Sequence, residues 1–334
     1  MRAVTTVSTR SLHCVAVLCT GLALLACSNS ASLTPTKEAP SESVRRSDTF
    51  QAAVSRGELL VAGSNAGAMV VSSDAGKTWI RNELPQPSSI IDMTACPDGE
   101  LVALDFYRKV WIGDATGKQW APRPIASPMT PLAITCDQRG QLWAVGSNTT
   151  ILSSVDRGGT WKSFTLGEDA ILRTVQFVDD QHGVISGEFG TVLTTQDGGA
   201  SWQRQPKIPN DFYPYAAYFA DPQNGWLAGL AGTMLHTIDG GKTWVQQENR
   251  SGASLYALVG RGSQLYGLGE GGRVAVLRDA LWVPDEKSTA TSAFLSAGAL
   301  VNAESLFVVG AGGALKLLDL SGKRATTPVD KGKQ

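Results

Sequence analysis

Short apolar runs alternate with polar, glycine-rich turns along most of this 334-residue chain. Runs of this length between turn residues are typical of β-strands. Two successive stretches each resolve into four predicted strands, at residues 172–178, 183–187, 190–195 and 201–204, then at 215–220, 226–230, 233–237 and 243–246. The pattern therefore predicts an all-β protein built from four-stranded units.

An eight-residue phrase, (Ser/Thr)-x-Asp-x-Gly-x-(Ser/Thr)-Trp, separates the third and fourth runs of several units. It occurs at residues 72–79, 154–161, 195–202 and 237–244. A slipped copy at 113–120 keeps the aspartate and the tryptophan, and decayed copies lie at Asp279 and Asp319. Aspartate thus recurs at positions 74, 114, 156, 197, 239, 279 and 319, with steps of 40, 42, 41, 42, 40 and 40.

A period near 40 residues in an all-β chain indicates one four-stranded propeller blade per repeat. Seven periods predict a seven-bladed β-propeller over residues 48–323, followed by a polar tail at 324–334. Residues 49–54 supply a first strand for the first period, so packing of the last blade on the first is the favoured ring closure. A closing strand drawn from the C-terminus is the alternative.

The repeated phrase, an Asp-box, is predicted to build turns and not to catalyse a reaction. An aspartate can accept backbone N–H groups within its own turn, a glycine can adopt positive φ, and a tryptophan can fill the space between sheets. Acids spread evenly around a ring cannot converge on one substrate atom. The structural residues predicted in this way are Asp74, Trp79, Asp114, Trp120, Asp156, Trp161, Asp197, Trp202, Asp239 and Trp244.

The N-terminus carries an export signal ahead of the repeats. Arg2 and Arg10 precede an apolar run at residues 15–26, which is too short for a comfortable membrane span. The run ends in Leu24-Leu25-Ala26-Cys27, which resembles the lipobox of bacterial lipoproteins. We expect a signal peptide at 1–26 and a lipid anchor on Cys27; an ordinary secretory signal is the alternative.

Residues 27–47 are predicted to form a flexible tether between this lipid and the folded body, because they are rich in serine, proline and charge. Acyl chains anchor a protein to a membrane without spanning it. The residue after Cys27 is Ser28 and not an aspartate, as in lipoproteins that are sorted to the outer membrane. We therefore expect the protein in the outer membrane, facing the periplasm.

Charge and composition exclude several classes of partner. The net charge is −1, and removal of the two signal-peptide arginines leaves 27 basic against 30 acidic residues, which gives no electrostatic argument for nucleic acid. The three histidines, His13, His182 and His236, lack metal-ligand spacing, and the chain contains no Cys-x-x-Cys. Its glycine repeats join strands and are not followed by helices, unlike a phosphate-binding loop. We expect no metal and no cofactor.

Cys96 and Cys136 fall near the ends of the predicted first strands of two adjacent periods. In an oxidising, exported setting they could form a disulfide between blades two and three. Two buried thiols too far apart to pair are the equal alternative.

The repeat also resembles a known family. An aliphatic first strand is followed by Asp-x-x-x-Gly-(Trp/Val)-x-x-Gly-x-x-Gly and then the Asp-box, as at residues 179–202 and 221–244. This pattern is similar to the photosystem II stability and assembly factor family of Ycf48/Hcf136-like seven-bladed propellers, over roughly residues 50–322. The resemblance implies an exported, often lipidated, non-catalytic assembly chaperone for a membrane protein, and hence a protein partner in the membrane or cell envelope.

The loops opposite the Asp-boxes are the expected binding face. They join the second strand of each blade to the third, and each blade to the next. Aromatic side chains with arginine at such loops are typical of protein anchors, although some could pack between blades. The candidates are Phe106, Tyr107, Arg108, Glu188, Phe189, Phe212, Tyr213 and Tyr215, with Arg123 and Arg173 as weaker ones.

A periplasmic glycan-active enzyme, or a glycan-binding propeller of the sialidase-like type, is the alternative function. Sialidases also carry Asp-boxes, but they have six blades and an Arg-Ile-Pro motif near the start. The nearest string here is Lys207-Ile208-Pro209 in mid-chain. We therefore expect a binding scaffold and no enzyme.

Overall fold

The computed structural model describes residues 42–285 and 293–320. They form seven antiparallel sheets, six of four strands and one of three, in which every strand pairs with its neighbour in the sequence. The first strands of the sheets lie side by side in a ring, and that of the last sheet lies beside that of the first. The predicted seven-bladed β-propeller is confirmed.

The strands of blades one to four repeat one pattern of up-and-down connections. Blades one and two contain β1 (Phe50–Arg56), β2 (Leu59–Ser64), β3 (Ala68–Ser72), β4 (Ile80–Glu83), β5 (Ile90–Ala95), β6 (Leu101–Asp105), β7 (Lys109–Gly113) and β8 (Trp120–Pro124). Blades three and four contain β9 (Pro131–Cys136), β10 (Leu142–Gly146), β11 (Thr150–Ser154), β12 (Lys162–Thr165), β13 (Leu172–Phe177), β14 (Gly183–Gly187), β15 (Thr191–Thr195) and β16 (Gln203–Arg204).

Blades five to seven complete the ring. They contain β17 (Pro214–Phe219), β18 (Gly225–Gly229), β19 (Met234–Thr237), β20 (Val245–Gln247), β21 (Leu255–Arg261), β22 (Gln264–Gly269), β23 (Val274–Arg278), β24 (Leu281–Pro284), β25 (Leu295–Asn302), β26 (Ser305–Gly310) and β27 (Leu315–Asp319). One-turn 3₁₀ helices at Leu230–Gly232 and Glu270–Gly272 join the second and third strands of blades five and six. The predicted strands match these bounds to within two residues.

The core lies between the blades, because each middle strand is covered on both faces. Strands such as β6, β10 and β14 are buried at every residue, as expected for apolar runs packed between two sheets. The cluster that closes the ring joins Phe50 and Leu60 of blade one to Phe307 and Val309 of blade seven. In the described part of the chain, closure is therefore by blade-to-blade packing, as favoured from the sequence.

The folded body begins earlier than the predicted residue 48. It starts at Glu42, since Val44 packs into the closing cluster and the Ser43 hydroxyl donates to the carbonyl of Trp79. Arg81 forms a buried ion pair with Asp48 at 2.8 Å. The predicted tether is thus too long at its C-terminal end. Its remainder, with the signal peptide at 1–26, Cys27 and the tail at 324–334, lies outside the described residues.

The Asp-box turns have the predicted internal bonding. In the fifth blade, the Thr243 backbone N–H and hydroxyl and the Thr237 hydroxyl all donate to the carboxylate of Asp239, at 2.6–2.9 Å. Gly241 adopts φ +88°, where a side chain would be strained. The Thr243 bonds lower the pKa of Asp239 to about 2. Because this acid is engaged by its own turn, it serves the fold.

The sixth blade keeps the period without the Asp-box. Asp279 and Ala280, both at positive φ, form a two-residue hairpin turn between β23 and β24. Trp282 is fully buried, and its indole N–H donates to Gln247 of the preceding blade at 3.0 Å. Trp282 therefore holds the outer strand of blade six in place without the Asp-box turn that precedes the tryptophan in other blades.

Candidate functional site

The first strands of the seven blades surround an axial channel with a cavity of about 680 Å³. Antiparallel pairing places the loops between second and third strands at one end of the channel, together with the blade-to-blade connections. We name this end the loop face. Its strand-joining loops are residues 65–67, 106–108, 147–149, 188–190, 230–233, 270–273 and 311–314. The Asp-boxes, which join third strands to fourth strands, lie on the other face.

The loop of blade two exposes three of the predicted residues. Phe106 and Tyr107 are 52% and 51% exposed, with their rings edge to face at 5.8 Å. Arg108 adopts φ +57°, and its guanidinium donates to the carbonyl of Ser127. Asp105 stands where blades three to seven have glycine. Its buried carboxylate accepts the Trp111 indole N–H at 2.8 Å and the Tyr107 backbone N–H, which fixes the loop.

The connection from blade four to blade five contacts the loop of blade four. The Gly190 backbone N–H donates to the carbonyl of Phe212 at 2.9 Å. Beside this contact Phe189 is 48% exposed, whereas the carboxylate of Glu188 accepts the backbone N–H of Ile171. Phe189 is thus available to a partner, and Glu188 is partly engaged within the protein.

Phe212 is a correction to the sequence analysis. Its ring is 8% exposed and packs between blades four and five, against Gly229 and within the cluster that contains Ile208 and Leu227. An apolar ring beside glycine fills the space that a side chain would otherwise occupy. Phe212 is therefore a core residue, while Tyr213 of the same connection and Tyr215 at the start of β17 stay half-buried at the channel mouth.

Arg173, a weaker candidate in the sequence, lies in the channel with these tyrosines. Its guanidinium carbon is 6.0 Å from the ring centre of Tyr213, and its buried Nε has no acceptor among the described residues. Arg123, the other weak candidate, donates to the carbonyls of Asp156 and Arg157 at an Asp-box. Arg123 therefore belongs to the opposite face.

Two aromatic residues of the channel mouth were missed. Tyr256 lies 5.3 Å from Tyr215 between ring centres, and Phe294, 45% exposed, lies 6.2 Å from Tyr256. The signal was present, because Tyr256 occupies the same position of its first strand as Tyr215 and Arg173 do in theirs. An alignment of the seven first strands would have found it.

Asp92 is a further residue of the channel that was missed. Its carboxylate accepts the backbone N–H groups of Met93 and of Ile134 in the next blade, both at 2.8 Å. Burial raises the pKa of Asp92 to about 6 despite these bonds. Most equivalent positions of the other first strands hold alanine, so an acid here stood out in the sequence. It ties blade two to blade three.

Cys96, the residue after β5, forms a disulfide with Cys136 at the end of β9 in the structure, with a Cα–Cα distance of 5.2 Å. The Cys96 thiol position is buried, so the bond lies within the contact of blades two and three. Both the disulfide and the Asp92 bond join the same pair of blades.

No group of three or more potential metal ligands occurs in the described part of the chain. His182 contacts Asp179 of its own turn at 2.8 Å, and His236 stacks on Trp226 at 4.5 Å between ring centres. Residues 42–285 and 293–320 also contain no helix long and apolar enough to cross a membrane.

Comparison with known proteins supports the predicted resemblance. Residues 159–250 match the model of the family described as photosynthesis system II assembly factor YCF48. The photosystem II assembly lipoprotein Ycf48 of Prochlorococcus marinus is 32% identical over 149 residues, which cover 43% of this chain and 44% of the relative. The assembly protein Ycf48 of Thermosynechococcus vestitus is 32% identical over 165 residues, covering 45% and 46%.

Solved propellers share the fold over most of the chain. Ycf48 from Cyanidioschyzon merolae has a TM-score of 0.66 at 15% identity, over 83% of this chain and 97% of that one. A structure of Ycf48 bound to a D1 peptide has a TM-score of 0.64 at 14% identity, over 82% and 94%. An inactive variant of virginiamycin B lyase from Staphylococcus aureus has a TM-score of 0.72 at 14% identity, over 82% and 96%.

These comparisons show which features this chain has in common with known proteins. The resemblance to the Ycf48-like propellers is confirmed by the family model, the curated relatives and the fold. The chain spans less than half the length of those curated relatives in the matched regions. The relatives are assembly factors by name, which does not favour the glycan-active alternative.

Proposed function

We propose that this chain is an exported, lipid-anchored, non-catalytic propeller that binds a protein partner and assists the assembly or stability of a membrane or cell-envelope complex. The observation that carries this proposal is the concentration of accessible aromatic side chains and an unpaired arginine on the loop face. Aromatic and arginine side chains provide most of the binding energy at protein interfaces. The names of the relatives, and a Ycf48 structure that contains a D1 peptide, support a partner of this kind.

The loop face is the proposed binding surface because several of its side chains stay exposed and do not hold the fold together. Phe106, Tyr107 and Phe189 project from loops, whereas the Asp-box acids bond within their own turns. A partner that docks on the loop face would leave the Asp-boxes in solvent.

Site-specific photo-crosslinking in cells tests this proposal. A photoreactive amino acid at Tyr107 or Tyr213 should give a discrete adduct with one protein. The same group at Ser73, which is exposed on the Asp-box face, is the matched control and should give none. Equal adducts from both faces, or none from the loop face, would contradict a partner there.

The lipid anchor is tested separately. Cys27→Ser should move the protein from the membrane fraction to the soluble fraction, since the thiol carries the proposed lipid. Separation of inner and outer membranes should place the unaltered protein in the outer membrane, as Ser28 suggests. Retention of Cys27→Ser on membranes would refute anchoring through this residue.

A further inference from the structure

Each of the seven first strands presents its second residue to the axial channel at the loop face. These residues are Gln51, Ile91, Leu132, Arg173, Tyr215, Tyr256 and Ser296. Blades one to three contribute an amide and two aliphatic side chains, whereas blades four to six contribute a cation and two tyrosines. The channel mouth is therefore chemically one-sided, although the backbone around it repeats.

The one-sided region continues as a chain of four aromatic rings, which we name the aromatic arc: Tyr213, Tyr215, Tyr256 and Phe294. Successive ring centres are 5.9, 5.3 and 6.2 Å apart, and every pair is edge to face. The three tyrosines are half-buried, and Phe294 is exposed. Such rings present amphipathic surface at little cost in side-chain entropy.

Charge gives the aromatic arc two different ends. Arg173 lies 6.0 Å from Tyr213 at one end. The backbone N–H of Glu270 donates to the carbonyl of Ser254, two residues before Tyr256, so an acidic residue lies beside the blade-six part of the arc. Burial and then the Glu270 carboxylate raise the pKa of Tyr256. The buried Arg173 Nε and the buried Ser296 Oγ, both lining the channel, have no partner among the described residues. A buried donor without an acceptor is costly, so a ligand that supplies one gains affinity.

We propose that the aromatic arc and Arg173 bind an extended peptide that has apolar side chains at every second position and a carboxylate at the Arg173 end. Alternate side chains of an extended strand lie on one side, about 6–7 Å apart. This is close to, and slightly wider than, the 5.3–6.2 Å between successive rings. A carboxylate accepts a charge-assisted hydrogen bond from guanidinium. This inference rests on the proposed function and specifies the chemistry of the partner segment.

Selection from a pool of random nine-residue peptides with free C-termini tests the inference, using the full chain as the target. Enriched peptides should show apolar residues at alternate positions, followed by an acidic side chain or the C-terminus. Amidated copies of the enriched peptides then distinguish a C-terminal carboxylate from an internal acidic side chain. Amidation should weaken binding about tenfold if the C-terminus is read, and should leave it unchanged if an internal acid is read.

Variants connect the selected peptides to the site. Arg173→Gln should weaken binding at least tenfold and abolish the preference for a carboxylate. Tyr256→Ala should weaken it about fivefold, and Tyr256→Phe, which keeps the ring, should restore it. Phe164→Ala is the control, because Phe164 is an accessible aromatic residue, 48% exposed, that lies on the outer strand of blade three and away from the channel.

Three outcomes would overturn the inference: no enrichment relative to an Arg173→Gln/Tyr256→Ala double variant, enrichment without alternation, or binding indifferent to both substitutions. Thermal unfolding of each variant would show that a loss of binding is not a loss of fold. A discrete adduct from the crosslinking experiment alongside any of these results would leave the proposed function standing and remove only the peptide chemistry inferred here.

Discussion

On the Asp-box face, the carboxylate of Asp239 accepts three hydrogen bonds from its own turn, whereas on the loop face the buried Nε of Arg173 finds no acceptor among the described residues. The first arrangement recurs from blade to blade, whereas a buried polar group without a partner among the described residues occurs at two of the seven equivalent first-strand positions, Arg173 and Ser296. The Asp-box acids, which repeat with the period, form their hydrogen bonds within their own turns and so maintain the blade. Arg173 and Ser296 break the repeat at the axis and leave polar groups available to a ligand.

The comparison is tested most strongly at Trp282, where the tryptophan persists without its Asp-box. Trp282→Ala should lower the free energy of unfolding by about 3–5 kcal/mol, because a fully buried indole leaves a cavity. Urea unfolding measures this loss. Peptide binding by the folded fraction should be unchanged. A loss below 1 kcal/mol would show that the repeated tryptophan does not hold the outer strand.

The Cys96–Cys136 disulfide does not repeat from blade to blade. Its removal tests whether a non-repeating feature can still stabilise the fold. Replacing both Cys96 and Cys136 by serine opens a loop with a sequence separation of 40 residues, so we expect a loss of about 2–4 kcal/mol. Urea unfolding of the double variant and of the reduced protein should agree. An unchanged stability together with altered crosslinking at Tyr107 would instead assign this pair to the binding face.

Asp92 should make the protein less stable as the pH rises. Its folded pKa is about 6 against the usual 3.8, so its contribution to stability is present below about pH 4 and is lost as the pH rises through 6. Asp92→Asn does not titrate. The difference in Tm between this variant and the unaltered protein should therefore move in favour of the variant from pH 4 to pH 7. A constant difference across this range would contradict the raised pKa.

The Asp-box acids should act in the opposite direction and more weakly. The pKa of Asp239 is about 2 in the fold, so its contribution is present above about pH 4 and is lost as the pH falls towards 2. Solvent screening keeps this effect small at an exposed site. Asp239→Asn should flatten the acid branch of the Tm profile slightly. Asp279→Asn, at the decayed copy without the serine and threonine partners, is the control.

The periodic part of the structure could be predicted from the sequence because each blade repeats a local code. Apolar runs, turn glycines and the constant step between aspartates predicted seven blades. The strand bounds predicted in the same way lie within two residues of those in the structure. Burial at non-periodic positions was less predictable. Phe212 and Tyr213 are adjacent aromatic residues of one connection, and only the glycine of the neighbouring strand decides which of them packs inside.

By itself, the sequence determined the fold class, the number of blades and the role of the Asp-boxes, since these depend on local spacing that repeats. The tertiary structure decided which side chains meet at the axis. Arg173, Tyr215, Tyr256 and Phe294 come from four successive periods and become neighbours only when the blades pack side by side around the axis. The period shows which first-strand positions face the axis, but the contacts between their side chains depend on how successive blades pack, which the pattern within one period does not encode.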